Sequence, residues 1–177
     1  MKYAAFLRGI NVGGNRKVPM EDLRKSFESL GFGNVKTLLN SGNVVFESDE
    51  TDVSILKSKI EQKLAKVFGW EIGMMVRLQK DLQEMVSITP FRFTEITPQT
   101  RLYVTFLSEA PKSTLGIPYE SPERNFAILE VSNKAIFSVL TLSEKYNTTD
   151  AMKVIEKEFG KNVTTRNWNT VVKLAKL

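Results

Sequence analysis

The chain has 177 residues, 42% hydrophobic and 25% charged, a globular composition that excludes collagen-like, low-complexity and largely disordered chains. Cysteine and histidine are both absent, which excludes disulfides, thiol and imidazole catalysis, Cys/His zinc sites and Ser-His-Asp triads. The net charge of +5 is unevenly spread: residues 1–18 carry Lys2, Arg8, Arg16 and Lys17 with no acid, and residues 161–177 carry Lys161, Arg166, Lys173 and Lys176 with no acid.

Tyr3–Leu7 is a short apolar run ending at Arg8-Gly9, which predicts a buried strand opening into a loop. Pro19 stands where a first helical residue would, Glu21 and Asp22 suit the helix dipole, and Met20, Leu23, Phe27 and Leu30 recur at helical spacing before Gly31. Val35–Leu39 and Val44–Phe46 flank Asn40-Ser41-Gly42-Asn43 and predict a hairpin. Asp52 is placed to cap a second helix with the face Leu56, Ile60, Leu64 and Val67, closed by Gly69. A strand from Trp70 to Leu78 completes the order β-α-β-β-α-β over residues 1–78, that of a ferredoxin-like plait.

Residues 79–100 read as a connecting helix and linker, with a capping box at Asp81–Glu84 and a stop at Thr89-Pro90. From Arg101 the order repeats. Leu102, Val104 and Phe106 alternate as a strand, Pro111–Leu115 opens a short helix, and Phe126–Val131 pairs with Ala135–Leu140 across Ser132-Asn133. Asp150 caps a helix through Phe159, Val163–Thr165 forms the last strand, and Asn167 caps a terminal helix carrying Trp168, Val171, Val172 and Ala175. The expected fold class is therefore α+β: two consecutive ferredoxin-like (β-α-β-β-α-β) subdomains, residues 1–78 and 101–177, with a C-terminal helix. The repetition is one of element order, without residue-level identity between the halves.

Three segments concentrate polar chemistry. The first loop, Arg8-Gly9-Ile10-Asn11-Val12-Gly13-Gly14-Asn15-Arg16-Lys17, lies between a strand and a helix, where glycines let backbone amides approach an anion and the helix offers its positive end. Gly9 and Gly14 have P-loop spacing, but Asn15 and Arg16 stand where Lys and Ser or Thr are needed, so the P-loop nucleoside-triphosphatase reading fails on its essential residues. In a β-α-β-β-α-β plait the first strand ends, and the hairpin between strands two and three turns, at the same edge of the sheet, which sets Ser41, Gly42 and Asn43 beside this loop. The third segment is Thr165-Arg166-Asn167-Trp168-Asn169, rich in side chains that hydrogen-bond phosphates and sugars, with Trp168 either stacking on a ring or packing in the core. The acids form no compelling catalytic pair: Asp49, Glu50 and Asp52 fall in a loop and a helix cap, and Glu156 and Glu158 point to different helix faces.

Leu7–Gly14, the Pro19-Met20 helix start, Ser41-Gly42-Asn43-Val44 and Thr165–Val171 together resemble the bacterial domain-of-unknown-function family 1697. The resemblance implies a fold of two ferredoxin-like subdomains and carries no activity with it.

The function expected from the residues is binding of an anionic ligand, a nucleotide, phosphorylated metabolite or nucleic acid. Its contacts are Arg8, Gly9, Asn11, Gly13, Gly14, Asn15, Lys17, Ser41, Gly42, Asn43 and the segment Thr165–Asn169. The alternatives are a metal-carboxylate enzyme acting on a phosphate ester and a protein-interaction module without a small ligand. No motif names a cofactor. The amino-terminal apolar run is too short for a signal peptide and no stretch is long enough to span a membrane, so a cytoplasmic location without a membrane partner is the expectation.

Overall fold

The computed structural model describes residues 1–14, 16–111, 113–132 and 134–177. Among the described residues the fold is mixed α+β, with two antiparallel sheets and five helices. The chain divides into two units, Met1–Glu84 with Val172–Leu177, and Met85–Val171.

The first unit runs β1 (Lys2–Leu7), α1 (Met20–Glu28), β2 (Gly33–Leu38), β3 (Asn43–Glu47), α2 (Val53–Phe68) and β4 (Met74–Leu78), and α3 (Gln79–Ser87) follows β4 directly. The sheet order is β2-β3-β1-β4 with every pair antiparallel. Alternation along the strands sends Tyr3, Ala5, Leu7, Val44, Phe46 and Val76 to one face, where they pack with Leu23 and Phe27 of α1 and Leu56, Ile60 and Leu64 of α2. Each buried Val, Leu, Ile or Phe side chain among them, removed from water, contributes about 1.5–3 kcal/mol. Asp52 caps α2, its Oδ1 accepting from the amides of Ser54 (2.7 Å) and Ile55 (3.3 Å), and Gly69 ends it at φ 84°. Pro19 is the cap residue of α1 and not its first helical residue, because its ψ of 134° is extended. The strand expected from Trp70 begins only at Met74. Val172–Leu177 is tied in by Gln79, whose Nε2 donates to Leu174 O (2.9 Å), by Gln83 to Ala175 O (3.1 Å) and by Lys2 to Leu177 O (3.2 Å).

The second unit contains β5 (Thr100–Leu107), β6 (Tyr119–Glu120), β7 (Phe126–Ser132), β8 (Ala135–Thr141), α4 (Thr148–Phe159) and β9 (Val163–Asn167), with α5 (Trp168–Lys176) following at once. Its sheet order is β6-β7-β8-β5-β9. The short helix expected at Pro111–Leu115 does not form over Ser113–Leu115; the stretch leads into β6, which pairs with β7. Gly116 and Pro118 explain the difference, since glycine raises the entropy cost of a helix and proline removes a helical donor. Helix α4 is capped by Asn147 and not by Asp150. The two form a capping box in which Asn147 Oδ1 accepts from Thr149 N (2.8 Å) and Asp150 Oδ2 accepts from Asn147 N (3.1 Å). Likewise α3 starts at Gln79, leaving Asp81 in its first turn.

The strand registers of the two units correspond position by position. Phe6 lies opposite Asn43 and Met75, and Phe106 lies opposite Ala135 and Thr164; Ala4 lies opposite Val45 and Arg77, and Val104 opposite Phe137 and Arg166.

Candidate functional site

Strand β1 delivers the chain into the loop at Arg8, and the loop is built by backbone conformation. Gly9 (φ 61°), Asn11 (55°), Gly13 (62°), Gly14 (78°) and Arg16 (53°) all adopt the left-handed region, which glycine enters freely and other residues only at a cost. Asn15 lies outside the described residues. The amide of Asn11 donates to Arg16 O (3.2 Å), closing the loop on itself.

The loop and the β2–β3 hairpin tip are joined. Leu7 N donates to Gly42 O (2.8 Å), and Asn11 Nδ2 donates both to Asn40 O (2.7 Å) and to Val18 O (3.0 Å) while Asn11 Oδ1 accepts from Val18 N (2.8 Å). The contact at Gly42 is close: a Cβ there would stand 2.7 Å from Ile10 Cδ1 and 2.7 Å from Leu7 Cβ, at φ 73°. Asn43, fully buried, donates through Nδ2 to Leu38 O (2.9 Å) and Ser41 Oγ (2.9 Å), which shapes the turn. Asn11 and Asn43 therefore build the shelf with their side chains. Gly9, Gly13, Gly14 and Lys17 lie exposed on it, and Arg8 is half-buried.

A third segment joins this edge that sequence reasoning missed. Arg8 N donates to Gly73 O (2.9 Å), and Arg8 Nη1 comes within 3.9 Å of the place a Gly73 Cβ would take. Gly73 also lines a cleft of about 370 Å³ with Ser58, Glu61, Gln62, Ala65, Glu71 and Ile72. Arg16, absent from the expected contacts, has its Nη1 4.0 Å from a Cβ position on Gly9. Its place in the acid-free run was the available signal; Gly73, inside an apolar run, offered none.

Thr165, Arg166, Asn167, Trp168 and Asn169 belong to the second unit. Thr165 Oγ1 hydrogen-bonds Thr105 Oγ1 (2.7 Å), and Asn167 Oδ1 accepts from Asn169 N (3.0 Å) at the start of α5. Trp168 meets Phe91 and Phe137 edge-on, with ring centroids 5.2 and 6.5 Å apart, so it packs among aromatic side chains. Arg166 donates from Nη1 to Thr164 Oγ1 (2.8 Å) and Thr165 O (2.8 Å), and burial pushes its guanidinium down to about 10. Burial likewise lowers Arg77, against the opposing influence of Asp81, and raises Asp81 against Arg77.

Among the described residues no three carboxylates converge to hold a metal ion. Asp52 and Glu50 are used locally, Glu50 Oε1 accepting from Asp52 N (2.8 Å). No helix among the described residues is long and apolar enough to cross a membrane.

A family model for proteins of unknown function, DUF1697, matches residues 1–137, which include the loop, the hairpin tip and Gly73. The chain belongs to the DUF1697 family. Among solved structures it is similar to a conserved bacterial protein from Streptococcus pneumoniae, at 23% identity and a TM-score of 0.75 over 99% of this chain and 97% of that one. That likeness establishes a shared fold. A second similar structure, an unknown protein from Galdieria sulphuraria, has 14% identity and a TM-score of 0.26 over 94% and 95% of the two chains. No curated protein matches this DUF1697 chain.

Proposed function

We propose that this DUF1697 chain binds a phosphate-bearing anion, a small molecule or a nucleic acid, at the loop Arg8–Lys17, with the Ser41–Asn43 turn as its second wall. The observation that carries this reading is the run of left-handed residues at Gly9, Asn11, Gly13, Gly14 and Arg16 in a loop with three basic side chains and no acid. Gly9, Asn11 and Gly13 recur in the left-handed region at every second residue, and backbone that alternates in hand in this way is the kind that turns successive amides toward one anion. Helix α1 follows with no side-chain oxygen at its cap, so its first amides keep their donor capacity. In the same reading both units are ferredoxin-like plaits, the second with β6 in place of its first helix, and the protein works in the cytoplasm. Ligand contacts are assigned to the first unit, because Thr165, Arg166, Asn167 and Trp168 each have a partner within the second.

Calorimetric titration with inorganic pyrophosphate tests it, run beside an Arg16→Ser/Lys17→Ser variant. Both side chains are exposed, so the variant folds as the parent does. Saturable heat that weakens at least tenfold in the variant supports the reading; absence of binding in the parent overturns it.

A further inference from the structure

The loop edge carries two features that an anion site does not require. Val12 is 71% exposed and Leu39 is 55% exposed, both beside residues that clasp the two tips together, since Asn11 Nδ2 donates to Asn40 O at 2.7 Å. Each apolar side chain is thus the immediate chain neighbour of one half of that clasp. Leu39 is also held at φ 58°, a left-handed conformation that asparagine or glycine would fill with less strain. Strain of this kind persists where the surroundings enforce it, and it gathers at ligand clamps. Below the tips the floor is already packed: Leu7 and Ile10 are buried, and Ile10 Cδ1 lies against Gly42. Val12 and Leu39 therefore add nothing to the core and present apolar surface beside the basic loop.

Resting on the anion-binding reading above, we infer that the ligand of this loop is a phosphorylated nucleoside, its phosphates on the loop amides with Arg8, Arg16 and Lys17 and its base against Val12 and Leu39. The chemistry fits because a base offers flat apolar faces to aliphatic side chains while its phosphates need donors and positive charge. A sugar phosphate or inorganic anion would use the basic half of the shelf and leave the apolar half idle. The same unit could be presented free or as the phosphorylated end of a strand.

The test titrates the full chain with the four ribonucleoside diphosphates, inorganic pyrophosphate, ribose 5-phosphate and a 5′-phosphorylated hexanucleotide, and repeats this with a Val12→Ser/Leu39→Asn variant. Leu39→Asn suits the left-handed backbone, so the variant's melting temperature should hold or rise. At least one nucleoside diphosphate is expected to bind tenfold or more tighter than pyrophosphate, and the variant should lose that advantage while binding pyrophosphate as before. Equal affinity of all diphosphates and pyrophosphate, or an advantage that survives in the variant, overturns the inference and leaves the anion site standing. Failure of pyrophosphate and every nucleotide to bind overturns both. Tighter binding of the hexanucleotide assigns the strand end, and equal or weaker binding the free nucleotide.

Discussion

Arg77 and Arg166 occupy the same place in the two sheets. Arg77 lies opposite Ala4 on β4, Arg166 opposite Val104 on β9, and each is one residue from the end of its strand, with a helix starting immediately after. Each donates Nη1 to the carbonyl of the residue before it, at 3.2 Å to Val76 and 2.8 Å to Thr165, and burial lowers both guanidinium groups. A planar fork that meets a backbone carbonyl is not reproduced by an ammonium. Arg77→Lys and Arg166→Lys should each cost roughly 1–2 kcal/mol in urea denaturation, the scale of one charge-assisted hydrogen bond. A loss confined to one of the two would show that the positions match in geometry but not in role.

Glycine is required at Gly42 for two reasons and at Gly14 for one. A Cβ on Gly42 meets Leu7 and Ile10 at 2.7 Å and also faces φ 73°, whereas a Cβ on Gly14 meets nothing within 4 Å and faces only φ 78°. Gly42→Ala should therefore cost about 3 kcal/mol, combining overpacking with backbone strain, and Gly14→Ala about 1 kcal/mol. Thermal unfolding of the two variants side by side reads the difference, and equal losses would contradict the close packing of the two tips.

Asn11 holds the loop by three hydrogen bonds, to Val18 O, Asn40 O and Val18 N. Because the side chain is exposed, water replaces part of what is lost, and Asn11→Ala should cost only about 1–2 kcal/mol. The local signature is sharper: amide exchange at Val18 should accelerate far more than exchange in β1. Unchanged protection at Val18 would mean that the loop keeps its shape without the staple.

The Asp150 carboxyl sits below the ordinary aspartate range, held there by the hydrogen bond from Asn147 N and then by Lys153. Its contribution to stability is present above the unfolded-state value, about 3.9, and vanishes as the pH falls through the lower folded-state value. Asp150→Asn should therefore be less stable than the parent near neutrality and converge with it in strong acid. Parallel stability curves from about pH 7 to pH 2 would show that the charge contributes nothing to the cap.

The first unit is largely legible in the sequence because its signals are local. Asp52 and Gly69 mark both ends of α2, and Asn40–Asn43 turns between two β-prone runs. The adjacency of the hairpin tip and the glycine loop also follows from element order, and the Leu7–Gly42 hydrogen bond gives it a distance. Legibility fails where two polar residues suit the same position. Asn147 and Asp150 both fit a helix start, and only the pairing between them decides which is the cap. Pro111–Leu115 has the proline of a helix start, but Gly116 and Pro118 leave too little chain to continue it. The clasp made by Asn11 is not legible, because an asparagine that serves the backbone and one that serves a ligand look alike in sequence. Trp168 reads in the sequence more readily as a core residue than as a stacking one, but its partners Phe91 and Phe137 are not legible there, since they lie far away in the chain.

Val172–Leu177 completes the unit that begins at Met1, through Gln79, Gln83 and Lys2. On a translating ribosome, residues 1–84 emerge well before those six, so the first-made half must wait for a later segment before it is whole. In that interval the carbonyl-seeking amides of Gln79 and Gln83 lack their final acceptors. Folding of this half is therefore not finished in the order in which it is synthesised, and chains arrested before residue 172 should be the forms most exposed to proteases.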